Sequence, residues 1–402
     1  MKYLLIIGDG MADYPIPDLA WKTPLEAAPT PAMDQLARNK SVLGMVRTIP
    51  GGVKAASDTA FLAIMGLDPR QYHPGRGPLE AVNLGINIRE DEVVFRVNLV
   101  TSDGRKMADY SAGHISDSEG GELIDYLNRN LGTPGLSFYA GKSYRNGLII
   151  RQPVFDWKKI VTVPPHDILG REIAGYLPKG AGAEFLLDLM KKAADLLEQH
   201  PINKTRVDLG ENPANYIWPW GQGGQADLPS FQSRFGLTGV TVSAVDIVKG
   251  IGKAMGLEAL SVEGATGYLD TNYEGKVAAT LDALDTVDFA ILHLEAPDET
   301  SHSGEVRLKI KAIGDFDRKV VGPVFKAVQE RFPEHRIMIM SDHITSLRTR
   351  THTPDPVPFL ISGAGVSGKG ADRFCEKTAT ASRIYIKDGA KILNYFFTPS
   401  LP

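Results

Sequence analysis

The sequence contains little of several features that would place it in a specialised class of protein. Its 402 residues include a single cysteine, Cys375, which excludes an internal disulfide framework and a cysteine-rich zinc site. No stretch approaches the roughly 18 consecutive apolar residues of a membrane-spanning helix, and no internal repeat or low-complexity linker stands out. The composition is that of an ordinary globular protein, long enough for one large domain or two unequal ones.

The sequence also lacks an excess of charge of either sign. Its 44 Lys and Arg residues nearly balance 48 Asp and Glu residues, for a formal net charge of −4. Because nucleic acids attract strongly basic surfaces, this balance argues against a nucleic-acid partner. The apolar run at residues 3–7 is too short for a secretory signal or a membrane anchor. We therefore predict a cytoplasmic protein without a membrane partner, and the sequence leaves the oligomeric state open.

A carboxylate or an imidazole follows each of three strand-like apolar runs. The runs and the polar residues after them are 3–7 with Asp9, 289–294 with Asp298 and His302, and 337–340 with Asp342 and His343. If the three runs are parallel neighbours in one sheet, these side chains converge at one edge. Such side chains are poor core residues and good ligands for a divalent metal.

Two further residues extend this set of candidate ligands. His352 lies in a proline-bounded loop, T-H-T-P, that can fold back toward the others, and Ser57 adds a hydroxyl. Asp298 and His302 are four residues apart, so on a helix they share one face. The whole set fits two metals about 3.5–4 Å apart, an arrangement suited to phosphoryl transfer. Oxygen and nitrogen ligands without a thiolate leave Mn, Zn, Co and Mg open.

Ser57 itself has two interpretations. It begins a helix-like run that Gly66 closes, and a Ser followed by Asp-Thr-Ala is typical of a helix N-cap. Alternatively, Ser57 is a nucleophile stabilised by first-turn N–H groups and a nearby metal. No G-x-S-x-G motif surrounds it, so a hydrolase triad is not indicated.

The middle of the chain differs in character from the rest. Strand-like pieces at 93–100, 148–151 and 160–163 alternate there with polar turns and with one helical stretch at 120–130. We predict that residues 81–180 form an inserted α+β domain, and that 1–80 together with 181–402 form the larger catalytic domain. In the larger domain, strands alternating with helices predict an α/β fold with a mostly parallel sheet covered on both faces. An amphipathic helix at 182–199 is expected to pack in a core.

Several motifs, taken together, resemble a known family. I-I-G-D-G-M-A-D, K-A-A-S-D-T-A, D-E-T-S-H, S-D-H and T-H-T-P-x-P-V-P-F occur in the order of the alkaline phosphatase superfamily. More closely, the sequence resembles cofactor-independent phosphoglycerate mutases of the archaeal type over nearly the whole chain, including G-R-G-P-L-E-A, P-H-D-I and W-G-Q-G. The resemblance implies an alkaline-phosphatase-like fold. It also implies an isomerase that interconverts 3-phosphoglycerate and 2-phosphoglycerate through a phosphoserine, without 2,3-bisphosphoglycerate.

The same resemblance implies roles for individual residues. Ser57 is similar to the phosphorylated nucleophile, and the insert resembles a substrate domain that closes over the catalytic one. His114 and Arg145 are similar in setting to residues that hold the phosphate and the glycerate, and Lys276 or Lys249 could supply a lysine near the cleft. The implied ligands, with manganese as the first choice of ion, are Asp9, Ser57, Asp342 and His343 for one metal and Asp298, His302 and His352 for the other.

Two other functions remain open on the sequence alone. The first is a metal-dependent phosphatase, phosphodiesterase or phosphonate hydrolase with the same metal core. The insert with His114 and Arg145 favours the mutase, whereas release of free phosphate would favour a hydrolase. The second is a non-catalytic metal- or phosphate-binding protein, which the intact set of seven candidate ligands argues against.

Overall fold

The computed structural model of the protein describes residues 1–398. Fifteen strands occur in this part of the chain: β1 (Lys2–Gly8), β2 (Val42–Val46), β3 (Glu92–Ser102), β4 (Met107–Asp109), β5 (Leu136–Lys142), β6 (Arg145–Arg151), β7 (Tyr216–Gly223), β8 (Gly239–Val242), β9 (Glu258–Leu260), β10 (Phe289–Leu294), β11 (His335–Met340), β12 (Ile344–Ser346), β13 (Thr351–Thr353), β14 (Val357–Gly363) and β15 (Tyr385–Ile386).

Sixteen α-helices accompany these strands within residues 1–398: α1 (Pro24–Ala27), α2 (Pro31–Arg38), α3 (Ser57–Ile64), α4 (Pro69–Tyr72), α5 (Arg76–Asn83), α6 (Asp117–Leu131), α7 (Ala183–Gln199), α8 (Pro201–Asp208), α9 (Phe231–Phe235), α10 (Asp246–Ala254), α11 (Tyr273–Ala283), α12 (Ala296–Ser303), α13 (Val306–Phe316), α14 (Gly322–Arg331), α15 (Glu376–Ala381) and α16 (Ile392–Phe397). Among the described helices, none has the length and apolar character needed to cross a membrane.

The chain divides into two compact units. One, here called the discontinuous unit, consists of residues 1–73 and the chain from residue 228 onward; the other, the inserted unit, consists of residues 74–227. The inserted unit is thus longer than the predicted 81–180, mainly at its C-terminal end. The reason is that β7 pairs with β3 and that the apolar side of α7 packs in the same core.

The discontinuous unit is built on an eight-stranded sheet in the order β15-β2-β14-β11-β1-β10-β8-β9. Strand β14 runs antiparallel to both of its neighbours, and the other strand pairs in this sheet are parallel. The prediction of an α/β fold with a mostly parallel sheet is confirmed. Strand β1 lies between β10 and β11, with Ile7 opposite His293 on one side and Met340 on the other.

Both faces of this sheet are buried, which explains the continuous apolar runs in its strands. In β1, Leu4 and Ile6 lie in a large core cluster that includes residues of α2, α11 and α14. Leu5 and Ile7 alternate with them, so they face the opposite side of the sheet, and they are equally buried. A strand buried on both faces is held rigidly, so the residues that follow it have well-defined starting positions.

The inserted unit contains an antiparallel sheet in which β3 is central. Strand β3 pairs with β6 along one edge and with β7 along the other, and β5 and β4 extend the sheet. The amphipathic helix predicted at 182–199 is α7, and its Leu186, Leu189 and Leu197 lie in the core of this unit. The strand predicted at 160–163 is absent, since Val161 makes only an isolated bridge to Lys179. Pro164 and Pro165 follow it and cannot donate to a ladder.

Glu376, the first residue of α15, has an unusual setting in the discontinuous unit. Thr23 Oγ1 donates to one of its carboxylate oxygens at 2.7 Å, and the Asp13 N–H donates to the other at 3.1 Å. Burial raises the pKa of the Glu376 carboxyl from 4.5 to about 7, although these hydrogen bonds act in the opposite direction. The folded protein therefore binds this proton more tightly than the unfolded chain, and stability falls as the pH rises from 4.5 toward 7.

We expect the substitution Glu376→Gln to remove this loss of stability. Relative to the wild type, the variant should gain stability as the pH rises, reaching about 2 kcal/mol above pH 7, less than the full shift because the side chain is partly exposed. The pH dependence of the thermal unfolding midpoint checks this, with the exposed Glu330→Gln on α14 as the reference for losing one carboxylate. An equal stability difference at acidic and alkaline pH would contradict it.

Candidate functional site

Three neighbouring strands of the discontinuous unit end at the same edge of the sheet. β1 pairs in parallel with both β10 and β11, so the prediction that these runs are parallel neighbours is confirmed. Asp9 follows β1, Asp298 lies on α12 just after β10, and Asp342 lies two residues after β11. Because parallel strands deliver their carboxyl ends to one edge, three carboxylates far apart in sequence meet there.

The first group of side chains surrounds His343. Its Nε2 lies 3.4 Å from Asp9 Oδ1, 3.2 Å from Asp342 Oδ2 and 3.1 Å from Ser57 Oγ. Asp342 is fixed in turn, because the N–H groups of Gly10 and His343 both donate to its Oδ1, at 3.0 and 2.9 Å. One cluster, here called the Asp9 group, therefore contains the four side chains that were predicted to hold one metal: Asp9, Ser57, Asp342 and His343.

Ser57 does not act as a helix N-cap. Ala56 occupies the cap position, Ser57 is the first residue of α3, and no side chain at the cap hydrogen-bonds the first turn. The Ser57 hydroxyl instead lies at hydrogen-bond distance from His343. The interpretation of Ser57 as a cap is therefore wrong, and its side chain is available to the Asp9 group.

The second group, here called the Asp298 group, lies next to the first. His302 Nε2 is 3.2 Å from Asp298 Oδ2, His352 Nε2 is 3.5 Å from Asp298 Oδ1, and the two imidazole nitrogens are 3.0 Å apart. The carbonyl oxygen of Arg350 lies 2.9 Å from His302 Nδ1 and sets that ring's orientation. Thr345 joins the two groups, because its hydroxyl bonds to Asp298 and lies 3.1 Å from His343 Nδ1.

Gly10 explains the G-D-G sequence after β1. Its φ is +58°, and a Cβ atom there would lie less than 3.0 Å from Thr345 Oγ1 and Asp298 Oδ1. A side chain would therefore push the Asp9 loop away from the Asp298 group. The glycine therefore allows the backbone to approach the candidate ligands closely.

His114 and Arg145 lie in the inserted unit and contact the same tyrosine. The Arg145 guanidinium lies 5.0 Å from the centre of the Tyr144 ring, and the His114 ring lies 6.1 Å from it. His114 is exposed and Arg145 is half-buried. The two residues proposed from resemblance thus share one cluster, which we call the Tyr144 cluster.

Comparison with known proteins identifies the family. Residues 39–203 match a model of the family described as 2,3-bisphosphoglycerate-independent phosphoglycerate mutase. The chain is 46% identical to a Geobacter sulfurreducens protein named probable 2,3-bisphosphoglycerate-independent phosphoglycerate mutase, over 98% of both chains. It is 43% identical to a Methanothermobacter thermautotrophicus protein named 2,3-bisphosphoglycerate-independent phosphoglycerate mutase 2, over 100% of this chain and 98% of that one. The chain belongs to this family.

Solved structures agree with the assignment. A protein from Pyrococcus horikoshii is similar with a TM-score of 0.83 and 31% identity, over 100% of this chain and 98% of that one. The cofactor-independent phosphoglycerate mutase from Thermoplasma acidophilum is similar with a TM-score of 0.65 and 27% identity, over 98% and 99%. Phosphoglycerate mutases are isomerases, so this chain is an isomerase, and the predicted membership of the mutase family is confirmed.

In this member of the mutase family, the two groups differ in their electrostatics. Burial raises the pKa of Asp9 well above its usual value, and the nearby carboxylates of Asp342 and Asp298 add to the effect. Burial would also raise the pKa of Asp298, but hydrogen bonds from its two histidines hold it well below the usual range. Burial opposes protonation of His302, yet Asp298 raises its pKa to about 9, whereas burial lowers the pKa of His343.

These features fit divalent cations. The structure contains two sets of three ligand atoms, and within each set the atoms lie within 4.8 Å of one another. One set comes from Asp9, Asp342 and His343, and the other from Asp298, His343 and His352. Asp9 Oδ1 is buried and no hydrogen bond reaches it in the described part of the chain. Crowded carboxylates at low dielectric favour a bound positive charge, and imidazoles supply nitrogen ligands once they are deprotonated. The donor set matches mixed oxygen and nitrogen coordination of the kind predicted.

His293 is a site residue that the sequence interpretation missed. It lies inside β10, fully buried, with Nε2 3.2 Å from Asp9 Oδ2 and Nδ1 3.1 Å from Ser243 Oγ. Burial lowers its pKa to about 4, so the imidazole is neutral near pH 7. A histidine within an otherwise apolar strand, F-A-I-L-H-L, was the available signal.

Proposed function

We propose that this protein interconverts 3-phosphoglycerate and 2-phosphoglycerate by transferring the phosphoryl group to Ser57 and back to the other glycerate hydroxyl. The observation that carries the proposal is the position of the Ser57 hydroxyl, 3.1 Å from His343 Nε2 beside three converging carboxylates. The names of the relatives supply the reaction. The phosphoserine and its location are our proposal, as is the cytoplasmic setting.

The chemistry requires an exchange of one bond for another at phosphorus. The Ser57 hydroxyl loses its proton and its oxygen forms a bond to phosphorus. At the same time the bond from phosphorus to the glycerate oxygen breaks, and the glycerate oxygen takes up a proton. In the second half, the other glycerate hydroxyl loses its proton and its oxygen forms a bond to phosphorus. The bond from phosphorus to the Ser57 oxygen breaks, and Ser57 takes up a proton. Ser57 lies at the start of α3, where first-turn N–H groups favour the negative phosphoryl oxygens.

We propose that two divalent cations bind at the sheet edge. Asp9, Ser57, Asp342 and His343 would hold one, and Asp298, His302 and His352 the other. Divalent cations bound there would lower the pKa of the serine hydroxyl and offset charge on the phosphoryl oxygens. Manganese is our first choice because it accepts both carboxylate and imidazole ligands, with Zn, Co and Mg as the alternatives. 2,3-Bisphosphoglycerate is not required in this scheme.

We propose that the Tyr144 cluster, together with Arg76 and Arg96, recognises the substrate's negative charge. The guanidinium groups of Arg76, Arg96 and Arg145 all act on Glu80 and lower the pKa of its carboxyl, against the effect of burial. One carboxylate among three guanidinium groups leaves a net positive charge. A phosphoglycerate carries a phosphate and a carboxylate, both of which arginine binds through paired hydrogen bonds.

The resemblance left two candidates for a lysine near the cleft, Lys276 and Lys249. We propose that Lys276 has this role. It is fully buried, whereas the Lys249 ammonium lies 3.4 Å from Asp246 within its own helix. Burial lowers the pKa of Lys276 to about 8, although the charge of Glu295 opposes this. A lysine with a pKa near neutrality can exchange a proton during turnover.

A coupled assay tests the proposed reaction. With 3-phosphoglycerate, Mn²⁺ and excess enolase, and without 2,3-bisphosphoglycerate, we expect continuous formation of phosphoenolpyruvate. Free phosphate should stay below about a hundredth of the product, because the phosphoryl group returns to the glycerate. The same mixture with a chelator in excess is the control. If free phosphate were released as fast as substrate was consumed, the protein would be a hydrolase and not a mutase.

A further inference from the structure

Lys309 on α13 is a fully buried lysine of the discontinuous unit with all of its donors engaged. Its ammonium nitrogen donates to Thr345 O at 2.7 Å, to Asp13 Oδ2 at 2.9 Å and to Ala12 O at 3.2 Å. An ammonium group is costly to bury unless its hydrogen bonds are satisfied. Three acceptors at these distances satisfy them, so the position is specific for a group with three donors.

The acceptors of Lys309 belong to the two segments that carry the candidate ligands. Ala12 and Asp13 lie in the loop that follows β1, which begins with Asp9. Thr345 lies in β12, two residues after His343. The same ammonium thus holds the Asp9 loop against the segment that follows β11.

Two further hydrogen bonds show how this clamp reaches the ligands themselves. The Leu347 N–H donates to Asp13 Oδ2 at 3.1 Å, which adds a second link between the same segments. The Thr345 hydroxyl bonds to Asp298 and lies 3.1 Å from His343 Nδ1. Fixing the Thr345 backbone therefore fixes a side chain shared by the Asp9 group and the Asp298 group.

We infer that Lys309 is a positioning residue for the candidate metal centre, which sets the spacing of the two ligand groups by clamping the Asp9 loop to β12. The inference rests on the proposed function, since it assumes that metal binds at this edge. The hydrogen bonds of Lys309 go to none of the candidate metal ligands. It acts through the carbonyl groups of Ala12 and Thr345, and this separates it from a lysine that only neutralises Asp13.

The experiment compares Lys309→Met, Asp13→Asn and the double variant, with Mn²⁺ binding measured by calorimetry and apoprotein stability by thermal unfolding. Residues that orient metal ligands typically contribute about 10- to 100-fold in affinity. We expect Lys309→Met to weaken Mn²⁺ binding in this range and to destabilise the apoprotein, because Asp13 is left buried and unpaired. Lys311→Met, on the same helix but exposed, is the matched control and should bind Mn²⁺ like the wild type.

The double variant separates positioning from charge neutralisation. Without either charge, the apoprotein should recover most of its unfolding midpoint, while Mn²⁺ affinity should stay at least about tenfold below wild type because the hydrogen bonds to both carbonyl groups are missing. Wild-type Mn²⁺ affinity in the double variant would overturn the inference about Lys309, but it would not contradict the proposed metal centre. A wild-type protein that binds no divalent ion would instead overturn the metal centre, and this inference with it.

Discussion

The substitution Ser57→Ala is expected to abolish phosphoglycerate interconversion, with kcat falling by at least about 10⁴-fold, as when a covalent nucleophile is removed. The fold should persist, because Ser57 is half-buried at the surface of α3 and caps nothing. The coupled assay measures the loss. Mass spectrometry of the wild type after mixing with substrate should find one phosphoryl group on the peptide that contains Ser57.

The exposed Ser382→Ala in the same unit is the control for this experiment and should retain wild-type turnover and phosphorylation. Activity of Ser57→Ala within tenfold of wild type, or a phosphoryl group on another residue, would show that the nucleophile has been misassigned. A loss of circular dichroism signal would indicate unfolding, in which case Ser57→Cys, a closer match in size, provides the second test.

Asp298→Asn and Asp342→Asn are expected to remove different metal ions. In the proposed assignment the wild type binds two Mn²⁺ per chain, and each variant should keep one at near wild-type affinity. Activity should fall by about 10³-fold or more in either variant, because each ion contributes several kcal/mol to transition-state stabilisation and 1.36 kcal/mol is tenfold in rate. Metal content after dialysis and titration calorimetry measure the stoichiometry.

Metal should also stabilise the folded protein, and this gives a readout that does not depend on activity. At a free concentration of 100 times its Kd, one bound ion adds about 2.7 kcal/mol to the free energy of unfolding. In each variant, metal should raise the free energy of unfolding by about half as much as in the wild type. In the control variant Asp282→Asn, at an exposed position, the increase should equal that of the wild type. If one substitution eliminated both ions, a single shared site centred on His343 would replace the two-site assignment, since that imidazole lies in both ligand sets.

The sequence alone was sufficient to predict the sheet edge because the relevant signals are local. Each of the three apolar runs carries its own polar residue just past its end, and parallel pairing then follows from alternating strands and helices. Ser57 could not be resolved in the same way. Whether a Ser occupies the cap or the first helical position depends on a difference of one residue, which local pattern does not determine.

The length of the inserted unit could not be predicted, because it depends on a long-range pairing. The apolar side of α7 looks the same whichever core it packs in, and β7 joins β3 from more than a hundred residues away. His293 was missed for a related reason. Its role comes from the placement of β10 beside β1, which puts the imidazole within reach of Asp9, whereas its neighbours in sequence indicate only a buried strand.

The order in which the strands of the larger sheet occur along the chain has a consequence for biosynthesis. Strand β1 leaves the ribosome long before its partners β10 and β11, which begin at Phe289 and His335. The inserted unit is continuous in sequence and has its own core, so it can fold during translation while β1 still lacks a partner. In the proposed assignment, catalytic competence therefore arises late, after His352 has emerged. A nascent chain that stalls before then contains a folded inserted unit and an unpaired apolar strand that is prone to aggregation.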